Sequence, residues 1–407
     1  MKIFSLQKAF NGSGNAPYRL HKELLAAGIK SFMFQEESII ENTYIQKMSR
    51  SKINFWYKIF NYIIRKIIEK YKDNQSYYYH YPTISHNITK NPDIISADII
   101  IINWVQGNFL NLKNIEQILQ LGKPTFFYLH DLWLLTGGCH HHFSCKQIYT
   151  NCKNCNMFKG IGKILPILQM KHKQNLYNKY QSNIYVLSPS YWVADIVNTT
   201  FFARKRNHCF TTPPIIDTNI FKKTNKFKAR EKLGINSKMK IISFGCFNVN
   251  NNKYKGFDYL LEAINHIKHD NIMLVIYGTE NISEYNINVP YKLMGIIKEE
   301  TELAIISNAS DVFVNPSLIE TYGLTIAENL LCGTPVVAFN NSAITELIDH
   351  KNNGYLANNR DFIDLAKGID FCLDLGKENI VFNYNKDALV SNYIKIFKDV
   401  LKRENDD

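Results

Sequence analysis

The sequence predicts an α/β protein made of two doubly wound lobes, each a parallel sheet with helices on both faces. Three observations favour this fold class. Short apolar strands alternate with amphipathic helical stretches along the chain. The 407 residues are too many for one ordinary core and suit two domains of about 200 residues each. The Pro213-Pro214 pair interrupts the alternation near the middle.

The apolar runs give the strands in order. In the N-terminal half they are KIFSL after Met1, IKSFMF from Ile29, ADIIIINW at 97–104, PTFFYLH at 124–130 and NIYVLSPS at 183–190. In the C-terminal half they are KIISFGC at 240–246, IMLVIYG at 272–278, YKLMG at 291–295, DVFVNPS at 311–317 and TPVVAF at 334–339. Helical stretches such as GFDYLLEAINHI at 256–267 separate them. We therefore expect one lobe at 1–207, a second at 208–390, and a helix at 391–407 that can cross back to the first lobe.

The composition is that of a folded protein with an anionic partner. Hydrophobic residues make up 45% of the chain and charged residues 21%, which excludes a disordered chain. The net charge of +12 predicts attraction to nucleic acid, an acidic membrane surface or a phosphorylated substrate. We find neither a signal peptide nor an apolar segment long enough to span a membrane, and we expect a cytoplasmic protein.

Two glutamates lie eight residues apart in SLIETYGLTIAENLL. Glu320 falls in the loop after a strand, and Glu328 falls in the second turn of a helix predicted at 324–331. The N-terminus of that helix attracts a diphosphate, and Gly323 lets the ligand approach the backbone closely. A carboxylate on each side of a phosphate site suits hydroxyl groups of a ribose and a sugar. The pattern therefore predicts a sugar nucleotide bound in a cleft between the lobes.

This stretch resembles the E-x7-E signature of the retaining GT-B glycosyltransferases of family 4, and the resemblance covers most of the chain. It implies a GT-B fold of two Rossmann-like lobes. It also implies that Glu320 is a catalytic residue beside the donor sugar and that Glu328 binds the ribose. Tyr322, Gly323 and Leu324 then belong to the donor site.

Two other segments resemble donor-binding parts of the same family. Lys255 matches the lysine that binds the donor phosphates, and we assign it a catalytic role as well. Asparagines precede it where the family has an arginine, so Lys253 is the candidate for the second cation. Gly14 and Asn15 occupy the glycine-rich loop after the first strand, which the resemblance places over the donor phosphates.

His130-Asp131 ends the strand PTFFYLH, where a side chain faces the ligand edge of a sheet. The resemblance assigns His130 to the donor sugar as a third catalytic residue, and we expect Asp131 to orient it. Glu346 resembles an acidic residue at the start of a helix in the same family. There we expect either a ligand contact or a helix N-terminal acid.

Four cysteines form a C-x5-C-x6-C-x2-C array in a predicted insertion at 137–157. They are Cys139, Cys145, Cys152 and Cys155. Four thiols at such spacing in a cytoplasmic chain predict a tetrahedral structural zinc site, reduced thiols or a redox-labile pair. The resemblance extends to a cysteine-rich insertion in a subset of family 4 enzymes that build exopolysaccharides.

The segment at 52–72 predicts an amphipathic helix with a basic polar face. Its apolar stripe includes Phe60, Ile63 and Ile67, and its basic residues include Arg65 and Lys66. Such a helix either lies on an anionic membrane or packs its stripe on the first sheet. Both interpretations remain open at the level of the sequence.

Together these features predict a retaining glycosyltransferase that moves a hexose from a UDP- or GDP-sugar to a saccharide acceptor in cell-surface polysaccharide biosynthesis. We expect a lipid-linked acceptor, an anionic membrane surface as partner, no nucleic acid and no catalytic cofactor. A structural zinc ion is the one metal that the sequence suggests. The alternatives are a nucleotide-sugar epimerase of the same fold and a zinc-stabilised nucleic-acid-binding protein.

Overall fold

The structure is a computed structural model, and it describes residues 1–9, 16–37, 43–47, 55–73, 78–82, 85, 87–107, 109–200, 208–235 and 238–406. The chain forms two compact units. The first unit contains residues 17–213, the first strand and residues 387–407. The second contains residues 214–386, so the chain enters it between Pro213 and Pro214. The predicted residues Gly14 and Asn15 lie outside the described ranges.

Thirteen strands are present in the described ranges, and they form two sheets. They are β1 Lys2–Ala9, β2 Lys30–Glu37, β3 Ile45–Lys47, β4 Ile99–Ile102, β5 Thr125–Tyr128, β6 Ile184–Ser188, β7 Cys209–Thr211, β8 Lys240–Gly245, β9 Ile272–Tyr277, β10 Tyr291–Leu293, β11 Val312–Asn315, β12 Val336–Phe339 and β13 Gly354–Ala357. Within the described ranges every strand pairing inside the two sheets is parallel.

The α-helices cover the faces of the sheets. They are α1 Ala16–Ala26, α2 Phe55–Tyr71, α3 Pro92–Ile95, α4 Leu112–Leu119, α5 Ile164–Lys179, α6 Tyr191–Thr199, α7 Lys226–Lys232, α8 Phe257–Ile264, α9 Glu300–Ala309, α10 Leu324–Leu331, α11 Phe362–Leu375 and α12 Lys386–Asp406. Short 3-10 helices lie at Trp133–Leu135, Lys146–Tyr149, Gly160–Lys163, Gln181–Asn183, Val249–Asn251, Lys253–Lys255 and Ser342–Glu346. None of the described helices is both long enough and apolar enough to span a bilayer.

The two sheets share one strand order. The first runs β3-β2-β1-β4-β5-β6-β7 and the second β10-β9-β8-β11-β12-β13. In each sheet the order reverses beside its first strand, between β1 and β4 and between β8 and β11. Open parallel sheets of this kind bind ligands outside the carboxyl ends of the strands at that point.

The central strands are buried on both faces, which explains their continuous apolar sequences. All residues of β4, β5, β11 and β12 are buried. Parallel strands covered by helices on both sides have no solvent face, so they do not alternate apolar and polar residues. This arrangement confirms the predicted α/β fold class.

Helix α12 returns the chain to the first unit. The Tyr393 hydroxyl lies 2.6 Å from the Tyr128 hydroxyl on β5 and donates to the carbonyl oxygen of Thr212 at 3.1 Å. Phe397 packs edge-on against Phe126 with ring centroids 5.1 Å apart. The last helix therefore completes the core beneath β5.

Some local expectations are corrected. Glu346 does not begin a helix, because it is the last residue of the 3-10 helix Ser342–Glu346. The short strands β3, β7 and β13 were not predicted. Helix α2 packs its C-terminal end near Phe158, but Phe60, Ile63 and Ile67 are 45–48% exposed, so these three do not pack on the sheet.

Candidate functional site

The second unit pairs Lys255 with Glu320 at the point where its strand order reverses. The Lys255 ammonium nitrogen lies 2.6 Å from Glu320 Oε1, and the side chains are 25% and 13% exposed. Lys255 follows β8 and Glu320 follows β11, so the pair joins the carboxyl ends of the two central strands. Burial alone lowers the pKa of Lys255, but the nearby Glu320 carboxylate outweighs it and raises that pKa above its ordinary value. Lys255 therefore stays charged.

Backbone packing fixes the loop that carries Lys255. Gly256 has φ +75°, and a Cβ atom at this position would lie 2.0 Å from the Pro316 carbonyl oxygen. The Leu318 N–H donates to the Tyr254 carbonyl at 2.8 Å. The loops after β8 and β11 are therefore in direct contact, and only glycine fits between them.

A third loop holds Glu320. Its N–H donates to Ser342 Oγ at 2.9 Å, and the Asn341 side-chain amide donates to the Ser317 carbonyl at 3.1 Å. Ser342 has φ +48°, a left-handed conformation that is uncommon for serine. Sequence reasoning missed Asn341 and Ser342. Their position directly after the predicted strand TPVVAF was the available signal.

Helix α10 begins where the sequence predicted. Gly323, with φ +99°, precedes Leu324 and offers no side chain to cap the helix. The partial positive charge of the helix N-terminus is therefore directed at the loop that carries Glu320 and the buried Tyr322. An anion placed there would meet backbone N–H groups.

Glu328 is a buried carboxylate in the second turn of α10. It is 3% exposed. Burial, followed by the charge of Glu328, raises the pKa of the Tyr277 hydroxyl at the end of β9, so the two groups are close. The predicted second cation, Lys253, is exposed on the 3-10 helix before Gly256. The structure therefore brings Lys255 to Glu320, whereas Lys253 makes no ion pair with a carboxylate in the part of the chain that the structure describes.

In the first unit, His130 is held by the strand that precedes it in the sheet. His130 Nε2 lies 3.0 Å from Asn103 Oδ1. The Asn103 amide nitrogen donates to Ser5 Oγ at 2.8 Å, which leaves Oδ1 as the acceptor for a proton on Nε2. Burial lowers the pKa of His130 to about 4, so the imidazole is neutral at neutral pH. Sequence reasoning missed Asn103.

Asp131 orients a different histidine from the one predicted. Its Oδ2 lies 2.7 Å from His140 Nδ1, and its Oδ1 accepts from the Trp133 N–H at 2.8 Å and the Gln106 amide at 3.2 Å. Burial raises the pKa of Asp131, but the His140 contact and these hydrogen bonds outweigh it, and the pKa is lowered. The expected His130–Asp131 pairing is wrong because Asp131 points towards the loop that follows the strand.

The four predicted metal ligands line one cavity of about 160 Å³ in the first unit. All eight cysteines are free thiols. As the side chains stand, no group of three or more His, Cys, Asp or Glu residues in the described ranges is arranged to hold a metal ion. The cysteines therefore share a cavity without surrounding a single point.

Comparison with known proteins bears on the second unit. Residues 225–388 match the family Glycosyl transferases group 1. The match lies almost entirely within the unit that contains Lys255 and Glu320. An uncharacterized glycosyltransferase from Methanocaldococcus jannaschii is 32% identical over 175 residues, which cover 40% of this chain and 44% of that protein. The chain therefore spans less than half the length of this curated relative.

Solved structures extend the likeness to both units. Sucrose-phosphate synthase from Thermosynechococcus elongatus has a TM-score of 0.66 at 16% identity and covers 99% of this chain and 100% of its own. Anabaena Alr3699/HepE in complex with UDP-glucose has a TM-score of 0.60 at 15% identity, with 100% of both chains covered. The fold is that of the GT-B glycosyltransferases.

Proposed function

We propose that the chain is a retaining glycosyltransferase that moves a hexose from a UDP- or GDP-sugar to a saccharide acceptor. The observation that carries the proposal is the Lys255–Glu320 ion pair at 2.6 Å, at the carboxyl ends of β8 and β11. Open α/β sheets bind ligands at this place. The glycosyl transferases group 1 match over residues 225–388 and the structural likeness to a UDP-glucose complex support it.

The donor diphosphate would bind between Lys255 and the N-terminus of α10. The ammonium and the helix dipole both stabilise the negative charge that grows on the leaving phosphate. When the donor phosphate binds the Lys255 ammonium, the Glu320 carboxylate is freed from the ion pair. It can then accept hydrogen bonds from the hydroxyl groups of the donor sugar. Glu328 then accepts hydrogen bonds from the ribose.

Transfer with retention proceeds on one face of the donor sugar. The bond from the anomeric carbon to the phosphate oxygen breaks, and a bond to the acceptor oxygen forms on the same face. The acceptor proton passes to the phosphate oxygen that leaves. The negative charge of Glu320 stabilises the positive charge that develops on the sugar ring, and Lys255 offsets the charge of the product diphosphate.

The first unit supplies groups suited to a saccharide. His140, which Asp131 orients, lies with its ring centroid 6.0 Å from that of Tyr78 and 6.1 Å from that of Trp104. Aromatic rings pack against the apolar faces of sugars, and an imidazole binds hydroxyl groups. His130 adds a second imidazole directly after β5, and this one is neutral at neutral pH because burial lowers its pKa to about 4.

Helix α2 favours a lipid-linked acceptor at an anionic membrane. Phe60, Ile63 and Ile67 are exposed on one side, while Arg65 and Lys66 are 66% and 56% exposed elsewhere on the helix. An apolar stripe flanked by cations binds anionic interfaces. The setting that we propose for the reaction is the assembly of a cell-surface polysaccharide, such as a capsule, an exopolysaccharide or an O-antigen.

The first experiment is thermal stabilisation of the chain by UDP-, GDP- and ADP-sugars. A donor at 100 times its Kd adds about 2.7 kcal/mol to stability. We expect a shift with one nucleotide that Glu328→Gln abolishes, while Glu262→Gln on the exposed face of α8 keeps it. The configuration of the product at the anomeric carbon, read by NMR, then tests retention.

The alternatives give different results in the same assays. An epimerase would convert the donor sugar without any acceptor and release no transfer product. A nucleic-acid-binding protein would bind polynucleotide with an affinity that falls steeply with salt and would show no nucleotide-sugar shift. Either result would replace the glycosyltransferase proposal.

A further inference from the structure

The segment between Gly137 and Lys159 has little regular structure of its own. It contains one 3-10 helix, Lys146–Tyr149, and a small apolar cluster of Cys155, Met157 and Phe158. A segment of this length without α-helices or strands needs another source of stability, because ordering its backbone costs conformational entropy. The N-terminal end of the segment carries His140, which pairs with Asp131 in the first unit.

The thiols of this segment converge. Cys139, Cys145, Cys152 and Cys155 line one cavity together with His141 and His142. Four thiolates complete the tetrahedral coordination of a zinc ion, so the histidines of the segment are not needed as ligands.

The surroundings of the thiols suit an anionic cluster. One zinc ion bound by four thiolates carries a net negative charge. Lys173 lies beside the cavity that the thiols line, because its ammonium contacts Thr136, which is another lining residue. Lys173 is fully buried, and its ammonium donates to the Thr136 carbonyl at 2.9 Å. A buried cation such as that of Lys173 is expensive unless negative charge offsets it.

The thiols must turn to bind a metal. Cys139 Sγ now lies 3.2 Å from Met157 Sδ, and Cys152 Sγ lies 3.7 Å from the Gln147 carbonyl oxygen. Zinc–sulphur bonds are about 2.3 Å long. A change of side-chain rotamer moves a thiol sulphur by about 3 Å, and the cavity of about 160 Å³ gives room for it.

We propose that Cys139, Cys145, Cys152 and Cys155 bind one structural zinc ion that fixes the loop 137–157. Four cysteine ligands leave no open position for a substrate, so the ion acts on structure and not on the transfer step. Through Gly137, Gly138 and His140 it would hold the Asp131–His140 pair in position. The site stands independently of the proposed glycosyltransferase function.

The test is the metal content of the full chain, purified without chelator and with reducing agent. We expect about one zinc per chain. Cys152→Ser and Cys155→Ser should each lose it, while Cys209→Ser, a half-buried cysteine outside the array, should keep it. Zinc that is equally retained by all three variants, or no zinc in the wild type, would overturn the proposal.

Cobalt(II) titration of the wild-type chain, after bound zinc has been removed with a chelator and the chelator washed out, gives a second measurement that does not depend on folding of the variants. We expect intense thiolate charge-transfer bands and the visible bands of tetrahedral cobalt, saturating at one equivalent. A spectrum of hexa-aquo cobalt alone, or a disulfide between Cys139 and Cys155 in the chain isolated under reducing conditions, contradicts the site.

Discussion

Lys255 Nζ lies 2.6 Å from Glu320 Oε1, which joins the loops after the two central strands of the second sheet. The two residues are 65 positions apart in the sequence. Each side chain therefore neutralises the partly buried charge of the other. The pair gives the site one cation and one carboxylate at the same point.

Breaking this pair should cost stability as well as donor binding. We expect Lys255→Met and Glu320→Gln each to lower stability by about 1–3 kcal/mol, because each leaves a half-buried charge without its partner. The double variant should lose less than the sum of the two. Thermal unfolding of the four proteins measures the coupling, and strict additivity would contradict the pairing. Donor-induced stabilisation should disappear in all three variants.

Gly256 offers a test of the contact between the two loops. We expect Gly256→Ala to destabilise the chain by about 2 kcal/mol more than Gly295→Ala. Both glycines have positive φ, +75° and +68°, but a Cβ atom at Gly295 has nothing within 4 Å. The comparison by thermal unfolding thus separates the clash with Pro316 from the strain of the left-handed backbone. Equal losses would mean that the Pro316 loop moves away freely.

His130 should make the first unit sensitive to acid. Its pKa is about 4 in the folded chain and 6.5 ordinarily, so between these values the unfolded chain binds more protons. Stability therefore rises with pH from about 4 to 6.5 and is lost as the pH falls through that window. His130→Gln should flatten this part of the stability profile. Buried His21, whose pKa is also lowered to about 4, contributes with the same sign, so His21→Gln is the matched comparison.

The Asp131–His140 pair should show coupling that His130 does not share to the same degree. We expect a coupling energy of about 1–3 kcal/mol between Asp131→Asn and His140→Gln. The double-mutant cycle of Asp131→Asn with His130→Gln should give a smaller coupling energy. Within the described ranges the Asp131 carboxylate accepts from His140, Trp133 and Gln106 and not from His130. Thermal unfolding of both cycles measures this. A larger coupling to His130 would restore the pairing that the sequence suggested.

Helix α2 predicts binding to anionic vesicles. We expect Ile63→Glu or Ile67→Glu to lower co-sedimentation with phosphatidylglycerol vesicles at least tenfold, because a carboxylate replaces an apolar contact with the interface. Val381→Glu is the matched control, since Val381 is 68% exposed in the second unit. Vesicles of neutral lipid should bind the wild type weakly. Equal binding by all variants would rule out α2 as the contact.

The strands and the start of α10 could be predicted because local sequence patterns determine them. The continuous apolar runs located ten strands, and the change from the loop at Glu320 to a helical run placed α10 at Leu324–Leu331. The short strands β3, β7 and β13 were missed because they lack the continuous apolar runs of strands such as β4 and β5. Only pairing with β2, β6 and β12 makes them strands.

The partners of the site residues depended on distant parts of the chain. Ser342 lies 22 residues after Glu320 and Asn103 lies 27 before His130, so nothing local indicates those hydrogen bonds. Asp131 adjoins His130 in sequence, yet a strand end directs neighbouring side chains to different sides. This is why the pairing of Asp131 with His140 is visible only in the folded chain.

Helix α12 closes the core of the first unit with Tyr393 and Phe397, after the chain has left that unit for residues 214–386. During synthesis, Phe126 and Tyr128 therefore contact these partners only after residues up to Phe397 have left the ribosome. The second unit has all its strands by Ala357 and can fold first. Strand β5 is thus translated long before Tyr393 and Phe397, and in that interval its exposed apolar surface makes the nascent chain prone to aggregation.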